Sequence, residues 1–351
     1  MKKATIAAVA AIMMASVLVC SIPTIAVAST PASEAGSMGK ILIDYSHGQY
    51  KAAVAYLDNY LTSNLTQMGF EVVFLWGGIN STILADADAL IITNIWGVTN
   101  GFLPSEVTAV GNWFNAGNKL LWIGGESDYV ETNGGQMVLD NMTLMLEAVG
   151  SHVYFEPTAV QDPASNVNGS YRPLANVTTA DPYVAPIVNG VHNVMVHSPT
   201  CLYGSNSDTP GENVSVVALE TTSIENVHLL LQYSQNATIV DSDITYPYAH
   251  TNGQRGSFAA VTLETSAGTA GSGAIIVSGG SPYGHYWPMT ESSYQGVTGM
   301  TGHYLLRQAI DFGIRASMSS PVVPFDPLIW AAIGAGAIIL IIVLVVIVRK
   351  R

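Results

Sequence analysis

The chain has 351 residues, of which 49% are hydrophobic and only 11% charged. About a quarter of the residues in ordinary soluble domains are charged, and disordered chains are poor in aliphatics and rich in charge, so neither class fits the whole sequence. The formal net charge of −13 argues against a nucleic-acid partner, which would need clustered Lys and Arg.

The apolar excess sits at the two ends, which speaks against a multi-span transporter. Met1-Lys2-Lys3 precedes an apolar run over 4–20, and Ala26-Val27-Ala28 comes just before Ser29. A positive start, an apolar middle and a small-residue exit predict a secretory signal peptide over 1–28. Cys20 is disfavoured as a lipidated residue because Val19 before it is bulky. Cleavage leaves Cys201 as the only cysteine, so no intramolecular disulfide can form and stability must come from a core. Residues 29–38 are small and polar, and read as a flexible leader.

An α/β ectodomain is expected over 39–316. Residues 40–45 form an apolar run that reads as a buried strand. Residues 50–68 place Ala53, Tyr56, Leu57, Tyr60, Leu61 and Leu65 at helical spacing, and Gly69 stops them. Strands are expected over 70–75, 89–94 and 119–125. A helix is expected from Pro104 to Asn115, another over 141–149 ended by Gly150, and a strand at 153–155. Strands apolar on both faces, alternating with helices, predict a mainly parallel, doubly wound sheet of flavodoxin-like topology. The pattern then breaks into loops rich in Asn, Pro, Ser and Thr over 157–215. Later strands are expected at 214–219, 228–231, 258–263 and 274–278, and a last helix over 302–312. The repeated strand-then-Gly turn, at Gly124-Gly125 and again at Gly279-Gly280, favours one elaborated domain.

Residues 317–327, with Pro321, Pro324 and Pro327, read as a stiff stalk. Residues 328–348 are 21 uncharged residues followed by Arg349-Lys350-Arg351. About 20 apolar residues span a bilayer as a helix, and a basic tail obeys the positive-inside rule. These features predict a single-pass type I membrane protein with its bulk outside and a three-residue cytoplasmic tail over 349–351. Seven basic residues against all 25 acidic ones leave the ectodomain at −18, a field that attracts cations and repels polyanions. Sequons begin at Asn64, Asn80, Asn141, Asn168, Asn176, Asn213 and Asn236, so glycosylation is expected.

Ligands in an open parallel sheet sit outside the carboxyl ends of its strands. That rule gathers Asp44, Ser46 and His47; Thr93 and Asn94; Glu126, Ser127 and Asp128; and Ser278 and Ser281. The same residue types also serve as helix caps and loop partners. Tyr283-Gly284-His285-Tyr286-Trp287 is the densest of several aromatic groups in loops near strand ends; such aromatics serve as small loop-anchoring cores, and as a ligand wall Tyr283, His285 and Trp287 are the first choice for a sugar or peptide. A hydrolase would use Ser127 as nucleophile, His47 as base and Asp44 or Asp128 as orienting acid, although Gly125-Glu126-Ser127-Asp128-Tyr129 lacks the second glycine of a G-x-S-x-G elbow. Asp241, Asp243 and His250 lack EF-hand spacing and read as solvated loop residues. His192 and His197, five apart, would face opposite ways on a strand. No metal and no cofactor is expected.

Residues 41–48, 89–94, 106–113 and 120–125, then Val191-His192, 197–200 and 271–279, together resemble class I glutamine amidotransferase-like domains. The nearest likeness is to the sheet domain of gliding-motility ABC-transporter accessory proteins and of an intraflagellar transport subunit. The resemblance covers about 39–315. It implies the same fold, but Gly124-Gly125-Glu126-Ser127-Asp128 carries no Cys where amidotransferases place their nucleophile, and Cys201 is assigned to an unrelated loop. It therefore implies a non-catalytic binding or assembly module, accessory to a membrane transport complex. Expected partners are the lipid bilayer and a membrane protein complex or a sugar or peptide ligand. The alternative is a surface hydrolase acting on an amide, ester or glycan.

Overall fold

Apolar residues on strands with two buried faces explain the central sheet. The computed structural model describes residues 38–49, 62–129, 135–283 and 287–318. The expected signal segment, the expected leader up to 37, most of the helix expected over 50–68, the expected stalk beyond Met318, the apolar span 328–348 and the last three residues lie outside the described residues. Among the described residues no helix is long and apolar enough to cross a membrane.

The sheet has eight strands: β1 (Gly39–Asp44), β2 (Phe70–Leu75), β3 (Ala89–Ile92), β4 (Leu120–Gly124), β5 (Val177–Thr178), β6 (Val227–Gln232), β7 (Ala259–Ala267) and β8 (Gly273–Ser278). Their spatial order is β2-β1-β3-β4-β8-β7-β6-β5. The first five in that order are mutually parallel, and β7, β6 and β5 continue the sheet antiparallel. With β8 counted fifth, the parallel part has the flavodoxin-like order 2-1-3-4-5 expected from the sequence.

Register places the side chains in rows. Leu42, Leu90, Leu121 and Ile275 line up across four strands on one face, and Ile43, Ile91, Trp122, Ile276 and Leu263 line up on the other. Among the described residues the α-helices are α1 (Ser63–Gln67), α2 (Ser81–Leu84), α3 (Pro104–Asn115), α4 (Gln136–Val149), α5 (Ala185–Val188) and α6 (Gly302–Met318). The first row packs with Val110, Trp113 and Phe114 of α3 and with Val138, Leu139 and Met142 of α4. The second packs with Leu305, Leu306, Ala309 and Ile310 of α6. Each fully buried Leu or Ile is worth about 1.5–3 kcal/mol, so these rows hold the layers together.

Several boundaries differ from expectation. α4 starts at Gln136 rather than Asn141, because buried Val138 and Leu139 extend its apolar stripe while its N-cap, Gly135, offers no capping side chain. The strand expected over 214–219 shrinks to Val216–Val217, a half-buried edge pairing with Leu202–Ser205. α6 runs to Met318, so Ser317, assigned to the stalk, is instead buried in a helix with its hydroxyl donating to Ile314 O at 2.8 Å.

The loop-rich middle of the chain folds back over the carboxyl ends of the central strands. Ser127 N donates to Ser198 O at 2.8 Å and Thr200 N to Gly279 O at 2.9 Å. The approach is close enough to demand glycine. A Cβ on Gly279 would lie 2.1 Å from Thr200 O, and one on Gly280 would lie 2.3 Å from Val196 Cγ1. Gly279→Ala is expected to cost about 1–3 kcal/mol through overpacking. Gly77→Ala, whose Cβ would meet nothing within 4 Å, should stay within about 0.5 kcal/mol of wild type. Equal urea midpoints for the two variants would contradict this packing.

Candidate functional site

β1 ends at Asp44, and the chain turns at once through Ser46 and His47. Gly48 makes the turn possible: its φ is +75°, and a Cβ there would lie 2.7 Å from Trp96 O. The turn aims His47 at two carboxylates. Nδ1 lies 2.7 Å from Asp44 Oδ2, and Nε2 lies 3.1 Å from Glu106 Oε2. Ser46 Oγ donates to Asp44 Oδ1 at 2.5 Å, and Gln49 Nε2 donates to Asp44 Oδ2 at 2.9 Å. Glu106 sits in the first turn of α3. Its oxygens also accept from Leu103 N at 2.9 Å and Ile79 N at 2.8 Å. Phe102 covers the imidazole, with ring centroids 4.4 Å apart.

Asp44, His47 and Glu106 are all buried. Burial by itself would lower the His47 pKa, but the hydrogen bonds and charges of Asp44 and Glu106 outweigh it and raise it. For Glu106, burial pushes upward, and the two backbone N–H groups with His47 outweigh it and hold the pKa low. A carboxylate facing each ring nitrogen favours the doubly protonated imidazolium, which donates from both.

A second polar group lies after β3 and β4. Asn94 Nδ2 donates to Glu126 Oε2 at 3.3 Å, and Ser281 Oγ donates to Asn94 Oδ1 at 2.7 Å. Ser127 is fully buried, and its hydroxyl lies 3.5 Å from Glu126 Oε1. Asp128 turns elsewhere, accepting from Ser242 Oγ at 2.5 Å, Ser242 N at 2.9 Å and Asp243 N at 3.2 Å. Burial raises its pKa against those hydrogen bonds. Thr93 is buried, and Ser278 Oγ accepts from Trp122 Nε1 at 3.0 Å.

The structure thus joins Asp44, Ser46 and His47 in one network and Asn94, Glu126, Ser127 and Ser281 in another. It does not assemble the Ser127, His47 and Asp128 hydrolase set. Both nitrogens of His47 face Asp44 and Glu106, and Asp128 serves the 242–243 backbone. The expected aromatic wall also changes. Tyr283 is fully buried in the core, with its hydroxyl pKa driven well above the usual value by burial. Trp287 packs on Tyr294 with centroids 4.0 Å apart. His285 lies outside the described residues.

A third cluster is not visible in the sequence. His250 is not grouped with Asp241 and Asp243 in a solvated loop. It is buried, with Nδ1 2.9 Å from Glu156 Oε2 and Nε2 2.8 Å from Glu220 Oε1. Cys201 Sγ lies 3.8 Å from the same Nδ1. Cys201 therefore belongs to the core, immediately before the strand Leu202–Ser205. Burial pushes its thiol pKa up, the reverse of what a nucleophile needs. Cys201 and Glu156 stand at the ends of two short strands, Leu202–Ser205 and Val153–Phe155, whose antiparallel pairing brings them together.

This is a doubly wound α/β domain of flavodoxin-like strand order, whose carboxyl-edge side chains bond to one another and lie beneath its own loops. No protein-family profile matches the chain, and no curated protein matches it either. Among solved structures it is similar to the mmIFT52 N-terminal domain, at 10% identity over 68% of this chain and 88% of that chain, with a TM-score of 0.41. It is also similar to a putative GMP synthase component from Thermoplasma acidophilum, at 11% identity over 80% of this chain and 95% of that one, with a TM-score of 0.34. A third likeness is to a putative ThuA-like protein from Parabacteroides merdae, at 11% identity over 81% and 92%, with a TM-score of 0.37.

The His47 network predicts a pH window. A histidine with a raised pKa contributes stability that is complete below its ordinary value of 6.5 and is lost as pH rises through the folded value. Glu106, with a lowered pKa, contributes above its ordinary value of 4.5 and loses that as pH falls through the folded value. The stability gap between wild type and His47→Gln should therefore be widest between those two values and shrink towards alkaline pH. A gap constant from about pH 5 to pH 9 in urea titrations would contradict the assignment.

Proposed function

We propose that the chain is a non-catalytic binding or assembly module, held at the outer face of a membrane by its C-terminal apolar span and accessory to a membrane protein complex. One observation carries the reading. The side chains that could do acid–base or nucleophilic work at the carboxyl edge of the sheet bond to one another, and the chain's own segment lies over them. His47 is pinned by Asp44 and Glu106, and Ser127 is buried beneath the backbone at Ser198. A general base must reach the proton it takes, and these groups face inward.

Recognition then falls to the acidic outer surface and its exposed loops. Ile244 and Tyr246 are 90% and 80% exposed at the tip of one such loop. Asn80, Asn168, Asn176, Asn213 and Asn236 of the sequons lie at or near the surface, which suits glycosylation on an outward-facing domain.

Two measurements test this. The full chain should stay with membranes through an alkaline carbonate wash, whereas a chain ending at Met318 should be released. Release of the full chain would remove the anchor. A serine-directed fluorophosphonate should leave Ser127 unlabelled while the tagged full chain, solubilised in mild detergent, co-purifies with membrane proteins. Labelling of wild type that disappears in Ser127→Ala would replace the binding role with the hydrolase.

A further inference from the structure

We infer that Glu156, Cys201 and His250 form a binding site for a divalent metal ion of the zinc class. The inference does not depend on the proposed binding role.

Three unlike donors converge there: a sulfur, a ring nitrogen and a carboxylate oxygen, all within 4.8 Å of one another and all buried. This is a zinc-type donor set. Bond lengths of about 2.0–2.3 Å from a common ion put such donor atoms roughly 3–4 Å apart. The observed separations are 2.9 Å from Nδ1 to Glu156 Oε2 and 3.8 Å from Nδ1 to Cys201 Sγ. An ion seated among the three atoms needs only small side-chain movements and leaves a fourth position open.

The backbone places the donors firmly. Leu202 pairs with Phe155 in an antiparallel ladder, so Cys201 and Glu156 are the next residues along, and Glu156 N donates to Cys201 O at 3.0 Å. His250 arrives from a loop whose Tyr248 and Ala249 N–H groups both donate to Glu156 Oε1. That leaves Oε2 to face the other two donors.

The surrounding shell has the form that metal-binding histidines require. A ligating histidine donates its second N–H to a carboxylate, which fixes the tautomer and the ring orientation. His250 Nε2 lies 2.8 Å from Glu220 Oε1. Glu220 Oε2 is buried and has no hydrogen-bond partner. Glu220 also lines a surface cavity of about 370 Å³ together with Leu219, Thr221 and His228, so the cluster lies one side chain from solvent.

The exchange balances. The ion takes Cys201 as a thiolate and His250 through an unprotonated Nδ1, so binding releases whatever protons those two atoms hold. With both protons present, two positive charges leave as the divalent ion arrives, and the charge of the cluster is unchanged. No oxidant or reductant is needed.

The full-length chain, purified in detergent, should contain about one zinc per chain by elemental mass spectrometry. Failing that, it should take up one Co²⁺ per chain after chelation in denaturant and refolding with the metal. Bound cobalt should show a sulfur-to-cobalt charge-transfer band in the near ultraviolet, absent from Cys201→Ser and from His250→Gln. Glu220→Gln keeps all three ligands and loosens only the ring, so it should retain the band and bind about 10–100-fold more weakly. Absence of metal in wild type by both routes, a cobalt spectrum without the sulfur band, or a Cys201→Ser chain that binds like wild type would each overturn the site. If the variants fail to fold, the wild-type cobalt spectrum decides.

Discussion

Residues 196–201 lie so close to the carboxyl ends of β4 and β8 that a methyl group on Gly279 or Gly280 has no room. Much else depends on that contact. It buries Ser127 against the backbone at Ser198 and draws Thr200 onto Gly279. It also delivers Cys201 to the inside of the domain, next to Glu156. In an open α/β sheet this edge is where ligands enter. Here the chain has spent the same geometry on its own packing, and the polar residues that a ligand would meet have become internal cross-links.

Electrostatics follow the same inward turn. Residues 39–316 hold few lysines and arginines, and among the described residues their ion pairs are on or near the surface, at Lys40 and Arg315. Several of the buried carboxylates are balanced instead by histidine. His47 bridges Asp44 and Glu106, His250 bridges Glu156 and Glu220, and His152 meets the buried Glu264 at 2.7 Å. Imidazolium is smaller and stiffer than a lysine chain and offers two donors at fixed angles. A lone buried charge would be costly, and a histidine between two acids keeps each of them paired.

Much of this is legible in the sequence. Residues 40–45, 70–75, 89–94 and 119–125 read as strands because each is an unbroken apolar run closed by polar or Gly residues, and the sheet order follows from their alternation with helices. Asp44 and His47 stand out because the carboxyl-end rule needs only the end of a strand. Glu106 escapes that rule because a carboxylate in the first turn of a helix is usually a cap, and here it is a cap and a histidine partner together. Tyr283 and Trp287 read as surface aromatics from their loop setting, but tertiary packing decides burial in a loop. Glu156, Cys201 and His250 cannot be joined from one sequence, since nothing local relates positions so far apart. Their union rests on a two-stranded pairing and a loop that crosses it.

The place of β8 has a consequence for how the chain comes to be folded. β4 ends at residue 124, yet its neighbour on the open side begins only at residue 273. While the intervening stretch is being made, the first four strands hold a bare, apolar edge, of the kind that invites pairing with other chains. No early portion of the sequence can complete the central sheet alone, and contacts across such separations form slowly. A nascent domain of this design stays open until nearly its last strand is available.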